Sequence, residues 1–192
     1  MRHVVVFAHP DPDSFIRRAA GAYIDELERC GHSVEARDLY TMRFDPVLSA
    51  GELAGDGPQP EDVRQEQALI ETAQGIAFLF PVWWASMPAM LKGYVDRVFT
   101  HGFAWEMRDG RVEGKLHGRR GVFITSSAAP MDCLTASGEL EAFTIAQDAV
   151  IMGLCGIHVT EHLHFDDLGP HTTTGRIGGC IARVRRTARG QA

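Results

Sequence analysis

Residues 75–88 have the sequence GIAFLFPVWWASMP, in which an apolar run passes directly into a loop rich in tryptophan and proline. The six residues from Gly75 to Phe80 carry no polar side chain, which is typical of a strand covered on both faces. Pro88 predicts the first turn of a helix, and apolar residues then recur at helical spacing as far as Phe99. A buried strand followed by a helix is the repeating unit of a parallel sheet covered by helices.

The same alternation continues on both sides of this stretch. Residues 44–60 contain three prolines and three glycines, which predicts a long surface loop. Elsewhere strands and helices alternate, which predicts an α/β fold: a doubly wound, five-stranded parallel sheet with helices on both faces, in one domain spanning residues 1–192. The other strands are predicted at residues 4–7, 34–39, 121–125 and 157–165, and the other helices at about residues 16–30, 61–74, 140–152 and 173–189.

Composition narrows the possible partners. The 192 residues carry a formal charge of -6, which argues against a nucleic-acid phosphate groove. No apolar run approaches the roughly 20 residues that span a bilayer, so no membrane insertion is expected. The four cysteines are widely spaced, without a CxxC pair, and the N-terminal apolar run is too short for a signal peptide. These features predict a cytoplasmic protein.

Three loops are candidates for a ligand site, because ligands of such sheets bind outside the carboxyl ends of the strands. After the first strand, Ser14 either caps the following helix or donates to a phosphate, with His9 beside it. After the third, Trp83 and Trp84 would point in opposite directions on an extended backbone, so at least one should line a pocket, unless both belong to the core or to a dimer contact. After the fourth, the small residues Thr125–Ala129 let a ligand approach the backbone.

Several common motifs are absent. No GxGxxG follows the first strand, and neither GxxxxGK[ST] nor GxSxG occurs, which argues against a nicotinamide Rossmann enzyme, a P-loop NTPase and a typical serine hydrolase. His158, His162 and His164 are separated by even numbers of residues, which would place them on one face of a predicted strand, but no cysteine or carboxylate stands at clear ligand spacing. No metal site is therefore predicted.

Four segments carry a resemblance to a known family. They are residues 8–15 (AHPDPDSF), 80–99 (FPVWWASMPAMLKGYVDRVF), 102–105 (GFAW) and 169–177 (GPHTTTGRI). Together they resemble the flavodoxin-fold NAD(P)H:quinone oxidoreductases, the group that includes DT-diaphorase and the modulator-of-drug-activity proteins. The resemblance covers almost the whole chain, and the block Pro88–Gly93 is its most specific part.

The resemblance implies bound FAD, or FMN as in some smaller members, with NAD(P)H as electron donor and a homodimer whose active sites lie at the interface. It also implies roles for individual positions. His9, Ser14 and Phe15 would hold the phosphate end of the flavin, Gln67 would contact its ribityl or adenine portion, and Arg176 would approach the pyrophosphate. Pro81, Val82, Trp83 and Trp84 would border the isoalloxazine ring, Thr125, Ser126, Ser127 and Ala128 its opposite edge, and Trp84, Trp105 and Met107 the substrate.

Two departures from the family pattern concern catalysis. The family's Thr-Thr-Gly-Gly turn is here Thr125–Ala128, which has side chains in place of both glycines. The diaphorases carry a Tyr and a His after that turn, and Cys133 and Glu139 stand at the matching positions. The resemblance therefore identifies no catalytic relay residue in this chain.

The resemblance thus implies a ping-pong enzyme in which NAD(P)H and an oxidised acceptor take turns at one flavin. Quinones are the expected acceptors, with azo, nitro or polyketide-like biosynthetic substrates as alternatives. A second hypothesis is an ancillary flavoprotein that regulates a membrane transporter, and a third is a small electron carrier.

Overall fold

The computed structural model describes residues 1–191. The strands are β1 (Arg2–Phe7), β2 (Ser33–Asp38), β3 (Gly75–Pro81), β4 (Trp105–Arg108), β5 (Arg111–Gly114), β6 (Arg120–Ser126) and β7 (His158–Phe165). The helices are α1 (Phe15–Arg29), α2 (Ala50–Ala54), α3 (Glu61–Thr72), α4 (Ala89–Val98), α5 (Met131–Ala136), α6 (Glu139–Ile145), a π-helix (Ala146–Gly153) and α7 (Thr174–Arg189).

Five strands form one parallel sheet in the order β2-β1-β3-β6-β7. The predicted doubly wound, five-stranded parallel sheet is therefore confirmed. The chain passes from β1 to β2 on one side and then from β2 back past β1 to β3 on the other, so the strand order reverses beside the carboxyl ends of β1 and β3. The loops after β1, β3 and β6 meet at this edge.

Side chains that alternate along β3 build a core on each face of the sheet. Ile76, Phe78 and Phe80 pack with α3, α4 and the π-helix on one face. Ala77 and Leu79 pack with α1 and α7 on the other. Every residue of β3 is buried, as its apolar sequence predicts.

The structure differs from the sequence prediction in three places. The loop 44–60 contains the short helix α2, whose N-cap Ser49 forms a capping box with Glu52. Residues 140–152, predicted as one α-helix, follow an additional helix, α5, and adopt π geometry from Ala146 onward. Residues 105–114 form an exposed antiparallel hairpin, β4–β5, which was not predicted.

Candidate functional site

A cavity of about 680 Å³ opens at the carboxyl edge of the sheet, where the loops after β1, β3 and β6 converge with the segment after β7. Its lining includes nine of the residues predicted from the sequence: His9, Ser14, Phe15, Pro81, Val82, Trp83, Ser126, Ser127 and Ala128.

The first wall of the cavity is the N-terminus of α1. The side chain of Ser14 accepts a hydrogen bond from the Arg17 backbone N at 3.3 Å, so Ser14 is the N-cap. Phe15 and Ile16 follow it in the lining, and the first turn of α1 contains no acidic residue. The backbone N–H groups and the positive end of the helix dipole at this turn can therefore attract an anion in the cavity.

His9 is held in one orientation beside this helix. Its Nδ1 accepts the backbone N–H of Asp11 at 3.1 Å, and its ring meets Trp83 edge to face with centroids 5.7 Å apart. Burial lowers the pKa of His9 below its usual value. The ring is therefore neutral at pH 7 and carries its proton on Nε2, which makes it a donor without charge.

The second wall is the loop after β3. Val82 N donates to Ser126 O at 2.7 Å, which ties this loop to the end of β6. Trp83 and Ser86 exchange two backbone hydrogen bonds across a tight turn, and Trp84 and Ala85 in that turn both have φ 53°. A left-handed conformation at a residue other than glycine costs about 1 to 2 kcal/mol. Strain of this kind is concentrated at functional sites.

The two tryptophans are in different environments. Trp83 lines the cavity and is partly exposed, whereas Trp84 is 100% exposed and is not part of the lining. At least one of the pair was predicted to line a pocket, and Trp83 does. Neither indole belongs to the buried core of this chain.

The third wall is the end of β6. Ser126, Ser127 and Ala128 line the cavity, while Thr125 is fully buried directly behind it. Ser127 N donates to Phe165 O at 2.9 Å, which fixes this segment to the end of β7.

Four predicted site residues lie away from the cavity within this chain. Gln67 Nε2 donates to Val98 O at 2.8 Å and to Thr100 Oγ1 at 3.1 Å. Trp105 Nε1 donates to Phe99 O at 3.1 Å, and Met107 is exposed on the hairpin. Trp84 is the fourth.

Arg176 lies in a second cavity of about 310 Å³ that adjoins the first. The two cavities share three lining residues, Ala128, Gly169 and Thr172. Arg176 Nη2 donates to Asp166 O at 2.9 Å and also pairs with the Asp166 carboxylate. The guanidinium is therefore fixed beside the extension of the main cavity.

Part of the cavity lining had no predicted role, although most of it lies in the segment 169–177 that carries the family resemblance. Residues Leu168, Gly169, Pro170, Thr172, Thr174 and Ile177 also line the main cavity. They follow β7, whose carboxyl end lies at the same edge as the three loops that were considered. Within residues 1–191, no three His, Cys, Asp or Glu side chains form a group that could hold a metal ion. No helix in that range is both long enough and apolar enough to span a membrane.

The chain is similar to several known proteins. The model of the flavodoxin-like fold family matches residues 1–186. An "Uncharacterized NAD(P)H oxidoreductase" of Haemophilus influenzae is 34% identical over 171 residues, covering 88% of this chain and 85% of that protein. The "Ribosyldihydronicotinamide dehydrogenase [quinone]" of Pongo abelii is 30% identical over 154 residues, covering 70% of this chain and 67% of that protein.

A solved structure extends this similarity to nearly the full length of both chains. The "NAD(P)H:quinone oxidoreductase from Methanothermobacter marburgensis" superposes with a TM-score of 0.92 at 29% identity, covering 100% of this chain and 99% of that chain.

Proposed function

The chain belongs to the flavodoxin-like family, and from this membership we propose that it is an NAD(P)H-dependent flavin oxidoreductase that reduces quinones or similar aromatic acceptors. The observation that carries the proposal is the cavity at the switch in strand order, which has on one wall the N-terminus of α1, whose first turn contains no acidic residue, and Trp83 on another. The names of the relatives, an NAD(P)H oxidoreductase and quinone dehydrogenases, support the same activity.

The residues present fit a flavin. The N-terminus of α1, with Ser14 and Phe15, would hold a phosphate. Pro81, Val82 and Trp83 would border the ring on one side, and Ser126, Ser127 and Ala128 would border it on the other. Their backbone groups can bond the polar edge of a flat heterocycle while apolar side chains cover its face.

We propose FAD rather than FMN as the cofactor. The second cavity, with Arg176 in its lining, continues from the first through three shared residues. An FMN has no second phosphate or adenosine to place there, whereas FAD has both. A cation beside the pyrophosphate would offset its charge.

A homodimer would account for the residues that lie away from the cavity. Trp84 is fully exposed and Met107 is more than half exposed, and a contact with a second copy would cover both side chains. We propose that Trp84, Trp105, Met107 and Gln67 contribute to sites that are completed by a second copy of this chain.

In the proposed cycle, the two substrates use one site in turn. When bound, the flavin supplies two-electron chemistry between NAD(P)H and the acceptor. The chain orients the reactants against Trp83, excludes water with Pro81 and Val82, and offers the neutral His9 as a hydrogen-bond donor. A reducing compartment such as the cytoplasm suits the four cysteines, all of which are free thiols.

The test is to purify the protein, to release and identify its flavin, and to measure NAD(P)H oxidation with quinone, azo and nitro acceptors. We expect one FAD per chain, a dimer by light scattering, and the fastest turnover with quinones. A protein that takes up neither FAD nor FMN would overturn the proposal. Full flavin content with no turnover of any acceptor would favour a regulatory flavoprotein instead.

A further inference from the structure

A row of five hydrogen-bonded side chains leads from the π-helix to the cavity. His162 Nδ1 bonds Asp148 Oδ1 at 2.7 Å, and His162 Nε2 lies 3.3 Å from Thr125 Oγ1. The Thr125 hydroxyl then bonds His164 Nδ1 at 2.9 Å. His164 Nε2 in turn bonds Ser127 Oγ at 3.1 Å. Both imidazoles are therefore bonded through both of their ring nitrogens.

The two ends of this row reach different surroundings. The Asp148 side chain is 27% exposed, so it can exchange protons with solvent. Ser127, at the other end, lines the cavity. Thr125 between them is fully buried, and the side chain of His162 is nearly so.

Aromatic rings keep the middle of the row dry. Phe143 of α6 packs against both imidazoles, with its centroid 5.4 Å from each. Phe123 of β6 lies 5.1 Å from the His162 ring on a neighbouring side. These rings shield His162 and Thr125, so a proton that passes through the middle of the row moves along the side chains themselves, whereas His164 is partly exposed.

The side chains of the row have hydrogen-bonding groups that buried positions do not need for packing. Each of its three inner members, and Ser127 at its end, can both donate and accept a hydrogen bond. Asp148 reaches His162 from a π-helix, a rare geometry that is frequent at functional sites. An apolar pair in place of the two histidines would fill the same space between Phe143 and β6 without buried polar groups.

We propose that these five side chains form a proton relay between solvent at Asp148 and the reacting group in the cavity. This inference rests on the proposed function. Reduction of a quinone by NAD(P)H transfers one hydride, with its electron pair, and takes up one proton from solvent to give the hydroquinone. Neither Cys133 nor Glu139, which stand where the related diaphorases carry a Tyr and a His, belongs to the row, so the relay is built from other residues.

Each transfer in the relay moves one proton. In the loaded state His162 is protonated on both nitrogens and paired with the Asp148 carboxylate. The Ser127 hydroxyl, which donates to Ala129 O at 3.2 Å at rest, turns to the acceptor, releases its proton and receives the Nε2 proton of His164. His164 takes the Thr125 proton on Nδ1, and Thr125 takes the Nε2 proton of His162. His162 ends neutral, with Nδ1–H on Asp148. Before Asp148 can deliver the next proton from solvent to Nδ1, the two hydroxyls must turn back and both imidazoles must return to their Nε2–H tautomers.

The charges around the relay set its resting state. Burial and the neighbouring His162 together lower the pKa of His164 to about 4, although Asp166 acts in the opposite direction. Burial also lowers the pKa of His162, against the bond to Asp148. Asp166 is itself paired with Arg176, while α6 and β6 present Phe143 and Thr125 to the imidazoles. Both imidazoles therefore rest neutral at pH 7, and His162 gains its second proton when negative charge develops in the cavity.

The experiment compares Thr125→Val, which removes the central hydroxyl, with Thr125→Ser, which keeps it, and with the control His158→Gln on the exposed start of β7. In anaerobic stopped flow we expect Thr125→Val to slow reoxidation by a quinone at least about 100-fold, the usual contribution of general acid catalysis. Reduction by NAD(P)H should change less than about 3-fold, and Thr125→Ser should restore most of the reoxidation rate. Equal slowing of both half-reactions, or wild-type reoxidation in Thr125→Val, would overturn the relay.

A second measurement needs no flavin. In protein labelled with nitrogen-15 at histidine, the relay predicts that titration of one imidazole moves the nitrogen shifts of the other. The Thr125→Val substitution should abolish this coupling, whereas Thr125→Ser should keep it. Independent titration of His162 and His164 in the wild type would overturn the relay. Failure of the protein to bind flavin would overturn the proposed function, and the coupling would still decide the relay.

Discussion

Ser14→Asp separates the two roles that Ser14 has at the N-terminus of α1. Aspartate is as good an N-cap as serine and complements the positive end of the helix dipole. The substitution therefore preserves the bond to the Arg17 backbone N–H and leaves the melting temperature unchanged or slightly raised. It also places a negative charge in the lining of the cavity, where we propose that a phosphate binds.

The size of the effect follows from the position of Ser14. A carboxylate within hydrogen-bonding reach of the bound phosphate would lie about 4 Å from it, and two like charges at that distance repel by about 1 kcal/mol in water and about 4 kcal/mol near a protein surface. Since 1.4 kcal/mol corresponds to tenfold in Kd, we expect affinity to fall between about 5-fold and about 1,000-fold. The loss should shrink as salt is added.

The assay is titration of deflavinated protein with FAD, FMN and riboflavin, followed by flavin fluorescence. Ser14→Asn is the matched control, because asparagine caps equally well and has no charge. We expect Ser14→Asp to weaken the binding of FAD and FMN, and to leave the affinity for riboflavin, which has no phosphate, within about 2-fold of wild type. Equal loss of riboflavin affinity, or undiminished FAD affinity in Ser14→Asp, would refute a phosphate at this helix.

Three further predictions concern the loop after β3, the core and the response to pH. Trp84→Ala should leave the melting temperature of the monomer unchanged, because the side chain is fully exposed, and should weaken flavin or acceptor binding. An equal loss of melting temperature and of binding would place Trp84 in the core. Arg37→Met removes the guanidinium bonded to buried Glu66 and should cost about 3 kcal/mol of unfolding free energy, or about 6 to 12 °C in calorimetry; an unchanged melting temperature would show that Glu66 does not need this partner. Burial and the neighbouring His32 lower the pKa of His3 from 6.5 to about 4, so the unfolded chain binds the extra proton and stability falls as the pH drops from 6.5 to 4. His3→Asn should make urea midpoints less dependent on pH in that window, and an unchanged slope would exclude His3 as a cause.

Much of the architecture could be predicted because it depends on local apolar patterning. The run Gly75–Phe80 identified the central strand, and the alternation around it identified the parallel sheet. The hairpin was missed because only Asp109-Gly110 marks it, a turn pair with positive φ at both residues, while its strands are short and exposed. The π-helix was missed because its apolar residues fit a pattern of α-helical spacing as well.

The candidate site was predicted less completely, because part of it depends on tertiary contacts. His162 and His164 drew attention by their even spacing, but their partner Asp148 comes from another element and Thr125 from another strand. A bulge opposite Gly121/Val122 also separates His158 from the register of the other two histidines. The exposure of Trp84 follows from a left-handed backbone that the sequence does not signal, since neither Trp84 nor Ala85 is a glycine.

The most direct test of the account follows the two half-reactions separately at one bound flavin. The protein with its flavin is mixed anaerobically with NADH or NADPH, and the absorbance of the oxidised flavin is recorded; a quinone is then added after the nicotinamide has been removed. We predict full bleaching by the nicotinamide and full recovery with the quinone, with one quinone reduced per flavin. Bleaching that requires both substrates together, or no bleaching with either nicotinamide, would contradict the account.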